Sequence, residues 1–207
     1  YSIFNALPNT TTLVVRSLLT KKVVATLSIV IDGTLGLPLE EYYPEQMKTF
    51  RSKNRLCAEI ISLGFDESIQ GSSDTLLQMF KFAYLIANSV YHATDFLIKI
   101  KPNHAFFYMK KLLFQPLGAE VNCSKMNNGR ARLYHLDLLE AQKQSSQNNN
   151  PNINYLEVYQ SCITAQNCQE LIETLKEKIS IAEMTILELD YFFKYKKEIF
   201  INAKYLY

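Results

Sequence analysis

Two apolar runs bracket a long helical one, and no other feature of this chain limits its fold so strongly. RLCAEIISLGF (55–65) opens with a strand over 55–63. TLLQMFKFAYLIANSVYHA (75–93) carries apolar residues at helical spacing behind Ser72-Ser73-Asp74, a good N-cap. DFLIKIK (95–101) alternates Phe96, Ile98 and Ile100 against Leu97, Lys99 and Lys101. Strand, helix, strand in that order predicts two parallel strands joined by a right-handed crossover. Gln78, Lys81 and Asn88 rule out a membrane span for the helix.

The flanking segments extend this unit into an α/β (α+β) domain with a mixed central sheet. TTTLVVRSLL (around 11–19) and VVATLSIVI (23–31) read as two strands of a hairpin turning at Lys21-Lys22. The second is apolar on both faces, as a central strand is. Residues 34–54 form a long connection with Pro38 and Pro44, expected to be a lid, a substrate wall or a covering loop. Asn103 is a candidate N-cap for a helix over AFFYMKKLLF (105–114). LGAEVNCS and ARLYHLDL flank Asn127-Asn128-Gly129, a strong hairpin signal.

Residues 1–140 therefore make one domain. QKQSSQNNNPNIN supplies a polar linker (141–154), and 155–207 form a helical extension. In that extension Leu171, Leu175, Ile179, Ala182, Ile186, Leu189 and Phe193 make an apolar stripe. It must bury against the domain or against a partner helix. The chain begins at Tyr1, a few residues ahead of a strand, so further residues upstream are expected.

Charge excludes some functions. With 22 basic and 20 acidic side chains the net charge is +2, too small for a nucleic-acid-binding field. Cys57, Cys123, Cys162 and Cys168 form no C-x-x-C pair, and His92, His104 and His135 have no ligand spacing. Reduced thiols and no metal are expected. Nothing resembles a signal peptide, which predicts a cytoplasmic protein without stable membrane insertion.

The order hairpin, long loop, strand, helix, strand, helix, hairpin resembles the GCN5-related N-acetyltransferase superfamily without its first strand and helices. Within it the chain is most similar to bacterial N-acyl amino acid synthases. LGLPLEEYY (35–43), RLCAEIISLGF (55–65) and KPNHAFFYMKKLLFQPLG (101–118) carry the resemblance, which spans about 7–138. Two departures stand out. The superfamily's glycine-rich phosphate loop reads GFDESIQGSSD here, with only Gln70-Gly71 surviving beside Asp66 and Glu67. The glycine that usually ends the last crossover helix is Leu113.

The resemblance implies transfer of a medium or long fatty acyl group from a thioester to the amine of an amino acid or similar small acceptor. The donor is acyl carrier protein phosphopantetheine or acyl-coenzyme A, with no tightly bound cofactor. The weak phosphate loop suits a carrier-protein donor better, because backbone N–H groups cradle a diphosphate only where glycines free them. An acyl-homoserine-lactone synthase-like enzyme and a catalytically silent acyl-binding module are the alternatives.

Site residues follow. Glu59 stands mid-strand, where an unpaired charge is costly. Burial lifts a carboxylate's pKa toward working pH, so Glu59 is a candidate base for the amine. Pairing with Arg16, Arg55 or Arg132 would abolish that, and anchoring of the acceptor's ammonium is a third role. The Ile61 N–H, or a neighbour, is a candidate oxyanion donor. Tyr108 occupies the place of the superfamily's tyrosine acid. Ile60, Gln70, Gly71, Asn103 and His104 are candidate donor-binding residues. Leu35, Leu37, Tyr42, Tyr43 and Phe50, with Phe80 and Tyr84 opposite, are candidates for an acyl slot. Lys48, Arg51, Lys53 and Arg55, and separately Lys99, Lys101, Lys110 and Lys111, are basic clusters able to steer an acidic carrier. Oligomeric state is open.

Overall fold

The computed structural model describes residues 2–67, 73–123, 129–147, 166–179, 185 and 194. Six strands form one sheet: β1 (Thr10–Arg16), β2 (Val23–Ile31), β3 (Cys57–Phe65), β4 (Asp95–Ile100), β5 (Gln115–Cys123) and β6 (Gly129–Asp137). Their spatial order is β1-β2-β3-β4-β6-β5. Only β3 and β4 run parallel. The helix between them, α2 (Ser73–Tyr84), continues as a π-helix over Leu85–Val90. The expected crossover unit is thus present. The helix widens within its expected span, since Tyr91 N–H reaches Ile86 O at 3.1 Å, five residues back.

The other α-helices among the described residues are α1 (Pro44–Ser52), α3 (Ala105–Lys111), α4 (Leu138–Gln147) and α5 (Gln166–Lys178). Two expectations change here. The first strand ends at Arg16 rather than near residue 19. The polar linker begins as helix, because α4 runs to Gln147 and buries Leu138 and Ala141. In the extension, Leu171, Ile172, Leu175 and Ile179 pack on the domain's own core. Ala182, Ile186, Leu189 and Phe193 lie outside the described residues.

The sheet has two unlike faces. On the first, Leu27, Ile29, Ala58, Ile60, Phe96 and Ile98 meet α2, its π-helical end, Tyr108 and Phe114. On the second, Val30, Cys57, Leu97 and Leu133 meet Phe4, Leu7, Leu37, Leu39, Tyr43 and Met47. The long connection is therefore a packed wall. It contains a 3-10 turn (Pro38–Glu41) and α1, and Met47 and Leu39 are fully buried in it.

Candidate active site

β3 and β4 are paired from Cys57–Asp95 to Ile60–Ile98, and there the parallel ladder ends. β4 stays with β6 out to Ile100–Arg132. β3 stays with β2 out to Ala25–Phe65. The sheet consequently opens between Ile61 and Lys99.

A bulge accompanies the opening. Ser28 pairs with Ile61, but the next partners are Thr26 and Gly64, so β3 carries one extra residue. Ser62 has φ 51°, left-handed backbone costly for a residue with a Cβ. The extra residue reverses the side-chain faces. Cys57 and Ile61 belong to the second core, whereas Leu63 and Phe65 join the first. No sequence signal marks this bulge.

The register also bears on the Ile61 N–H. Leu56 O accepts from Thr94 N and Asp95 N on β4, while Cys57 O accepts from Asp32 N beside β2. Main-chain groups alternate along a strand, so those of Ala58 and Ile60 turn to β4, and those of Glu59 and Ile61 turn to β2. The Ile61 N–H therefore serves the β2 ladder. Ser62 and Leu63 lie between the Ile61 and Gly64 rungs, beside the opening.

Glu59 lies one rung before Ile60–Ile98, on the second face, opposite Val30 and Leu97. It is 2 % exposed. Its Oε2 accepts the Leu39 N–H at 2.8 Å. Leu39 belongs to LGLPLEEYY, so two of the segments that carried the resemblance meet in one hydrogen bond. Two of the three candidate arginines have other partners. Arg55 binds Asp95 and Asp137, each at 2.7 Å. Arg132 Nε donates to Gly118 O at 3.0 Å. Arg16 is on edge strand β1.

The wall is fixed from several sides. Glu40 accepts the Leu37 N–H at 2.7 Å and binds Arg51, which also grips Asp32. Those two carboxylates push the Arg51 pKa above its ordinary value. Gly36 has φ 71°, and a Cβ there would collide with the Glu40 carboxylate. Both facts require glycine in the Leu-Gly-Leu-Pro turn. Tyr43 Oη donates to Ala119 O at 2.8 Å. The cluster Lys48, Arg51, Lys53 and Arg55 is thus no free basic patch. Lys48 pairs with Glu45, and both arginines are ion-paired within the fold.

Tyr108 points into the first face, 6 % exposed, edge-on to Phe80 (5.8 Å) and Phe107 (5.7 Å). Burial pushes its pKa up to about 12, so it holds its proton at neutral pH. Phe80 and Tyr84 share that core, whereas Leu35, Leu37 and Tyr43 belong to the second. The two groups cannot face each other across one slot, because the sheet separates them.

Asn103 and His104 are exposed in a 3-10 turn started by Pro102. His104, not Asn103, holds the cap position of α3, without a side-chain bond. Gln70 and Gly71 lie outside the described residues, as does Ser72. Leu113, which replaced the expected glycine, has φ 61° at the end of α3. The chain accepts a left-handed Leu where glycine is easier.

The far end of the β3–β4 pair holds a cluster that sequence reading missed. Asp95 is fully buried and accepts from Arg55 Nε and a second guanidinium nitrogen, both at 2.7 Å. It also bonds His135 Nε2 at 2.7 Å and Thr94 Oγ1. Burial opposes its charge, but His135, Arg55 and Thr94 outweigh that and hold the carboxyl below its usual value. The available signal was an acid opening an apolar strand, with an arginine opening its neighbour. Among the described residues no three His, Cys, Asp or Glu side chains can hold a metal ion, and no helix is long and apolar enough to cross a membrane.

Residues 1–137 match the family described as N-acyl amino acid synthase FeeM. The chain belongs to that family. A solved FeeM, an N-acyl amino acid synthase from uncultured soil microbes, is 26 % identical, with TM-score 0.61 over 68 % of this chain and 76 % of that one. A spermidine N-acetyltransferase from Vibrio cholerae superposes with TM-score 0.47 at 12 % identity, over 66 % of this chain and 70 % of that one. No curated protein matches. Membership in the FeeM family makes this chain an N-acyltransferase.

Proposed function

We propose that this N-acyltransferase moves a medium or long fatty acyl group from a thioester to the amine of an amino acid. The donor in this reading is acyl carrier protein, with acyl-coenzyme A as the second source. The observation that carries it is the interruption of the β3–β4 ladder after Ile60–Ile98, with Glu59 on one face and Tyr108 on the other. An amine and a thioester arriving from opposite faces meet only where the sheet is open.

The chemistry follows from that division. The amine nitrogen attacks the thioester carbonyl carbon, a C–N bond forms and the C–S bond breaks. The α-ammonium, with a pKa near 8, must shed a proton first. Glu59 takes that proton, directly or through a water, and holds the ammonium beforehand. N–H groups of the Ser62–Leu63 bulge, rather than Ile61, polarise the carbonyl oxygen. Tyr108 gives its proton to the leaving thiolate, and the second proton that the nitrogen loses as the amide forms restores it. Phe80 and Tyr84 wall the acyl chain on the first face, while Leu35, Leu37 and Tyr43 shape the acceptor side. Ile60, Asn103 and His104 lie along the donor's path, and Gln70-Gly71 bind its phosphate. The cytoplasm, where acyl thioesters form, is the compartment.

The Leu39–Glu59 hydrogen bond favours a second reading, in which Glu59 only pins the wall and the chain is a silent acyl-binding module. Mass spectrometry of lipid extracts from cells expressing wild type and Glu59→Gln separates the two. New N-acyl amino acids that vanish in the variant support catalysis. Equal yields from both would leave Glu59 structural, and no product from wild type would favour the silent module.

A further inference from the structure

Lys99 occupies a particular place. It is the first β4 residue beyond the last β3–β4 rung, and β4 alternation puts it on the second face with Leu97. Leu97 pairs with Glu59, so Lys99 and Glu59 share one face, with Cα atoms about 8 Å apart by ordinary sheet spacings. A carboxylate and an ammonium therefore flank the opening on the side of the long wall.

The ammonium is held in an unusual way. Lys99 Nζ sits 4.0 Å from the centroid of the Tyr42 ring. Among the described residues no carboxylate lies within ion-pair distance of it, although Arg51 and Arg55 are each held by two. A ring face attracts a cation through its quadrupole and takes up none of its N–H donors. Lys99 is thus positioned without being neutralised. Tyr42 belongs to the segment fixed by Gly36, Glu40 and the Leu39–Glu59 bond, so that bond and the Lys99 site share one support.

An α-amino acid carries the complementary pattern, an ammonium and a carboxylate on one carbon. We infer that Lys99, steadied by Tyr42, binds the carboxylate of the acceptor and so selects amino acids over plain amines. The inference rests on the reading that the acceptor is an amino acid. The carboxylate keeps its charge throughout the reaction, so Lys99 contributes to binding and register, and Glu59 to the proton.

The test compares acceptors that differ only in the carboxylate: phenylalanine with phenethylamine, tyrosine with tyramine, leucine with isoamylamine. Each is assayed with long-chain acyl-coenzyme A and with acyl carrier protein. Lys99→Met keeps the apolar stem and removes the charge. The expected result is a KM for the amino acids raised about tenfold to a hundredfold, the range of a charged hydrogen bond, with the paired amines unchanged. Lys99→Arg should recover part of the loss, and Tyr42→Ala, which removes the ring, should raise the KM for the amino acids in the same direction while leaving the amines unchanged. Calorimetry with an N-acyl amino acid and its methyl ester gives a readout independent of turnover. Wild type should prefer the acid, and Lys99→Met should bind both alike. Equal losses for amino acids and amines in Lys99→Met, or no loss, would overturn the inference while leaving amino acid acylation standing. Wild type that acylates the amines as well as the amino acids would overturn it too. Wild type that acylates no amino acid would remove the underlying reading, and this inference with it.

Discussion

The two ends of the β3–β4 pair are built on opposite terms. At the closed end Asp95 is fully buried and gathers Arg55, His135 and Thr94, with Asp137 completing the guanidinium's partners. At the open end the ladder stops, Ser62 adopts a left-handed backbone, and Lys99 rests on a ring instead of a carboxylate. One end pairs its charged groups with each other, and at the other the Lys99 ammonium meets a ring face. β2 and β6 hold the two strands past the opening, and the clamp ties their other ends together.

That contrast is open to experiment, and the largest effect lies at the clamp. Asp95→Ala leaves a guanidinium and an imidazole without their buried acceptor, and should cost about 3–5 kcal/mol in urea denaturation. A loss under about 1 kcal/mol would mean the closed end is not a clamp. The pH dependence has a sign too. Asp95 titrates below its unfolded value near 3.9, so its stabilisation is complete above about pH 4 and disappears as pH falls through the lower folded value. Asp95→Asn should flatten that acid limb.

At the open end, Glu59→Gln should lower turnover by about a hundredfold or more while the fold survives, as circular dichroism can verify. A variant that melts but keeps its activity per folded molecule would place Glu59 with the clamp residues. Gly36→Ala tests the support between the two ends. Left-handed backbone and collision with Glu40 should together cost about 2 kcal/mol. Tyr108 gives a milder effect. Its folded pKa of about 12 exceeds the unfolded value of 10, so stability is complete below pH 10 and declines as pH rises toward 12. Tyr108→Phe should lack that decline when alkaline melting curves are compared. Smallest is Leu113→Gly. Relief of the left-handed backbone is worth about 1 kcal/mol, offset by lost packing, so its melting temperature should barely move.

Local pattern explains why some parts were readable. Alternation in 95–101 gives the two faces of β4 directly, since side chains on a strand have period two. VVATLSIVI spans β2 residue for residue because a strand covered on both faces needs an unbroken apolar run. Alternation alone does not carry through β3. A single inserted residue reverses the faces from Leu63 onward, and a bulge leaves no compositional trace. It also leaves Ser62 and Leu63 between the Ile61 and Gly64 rungs. The sides taken by the slot residues were hidden for a different reason. Leu37 and Phe80 are both apolar and aimed at a core, but only the sheet order shows that they lie on opposite sides of it.

The sequence by itself determined the strand–helix–strand unit, the hairpins and the mid-strand acid, because periodicity and turn chemistry act over a few neighbouring residues. Tertiary structure alone decided where the sheet opens and which partner each charge takes. Glu59 meets Leu39, Arg55 meets Asp95, and Lys99 meets Tyr42 across long stretches of chain. Such pairings depend on how strands register and on which loop covers which face, and every competing partner carries the same charge and chemistry until the chain has folded.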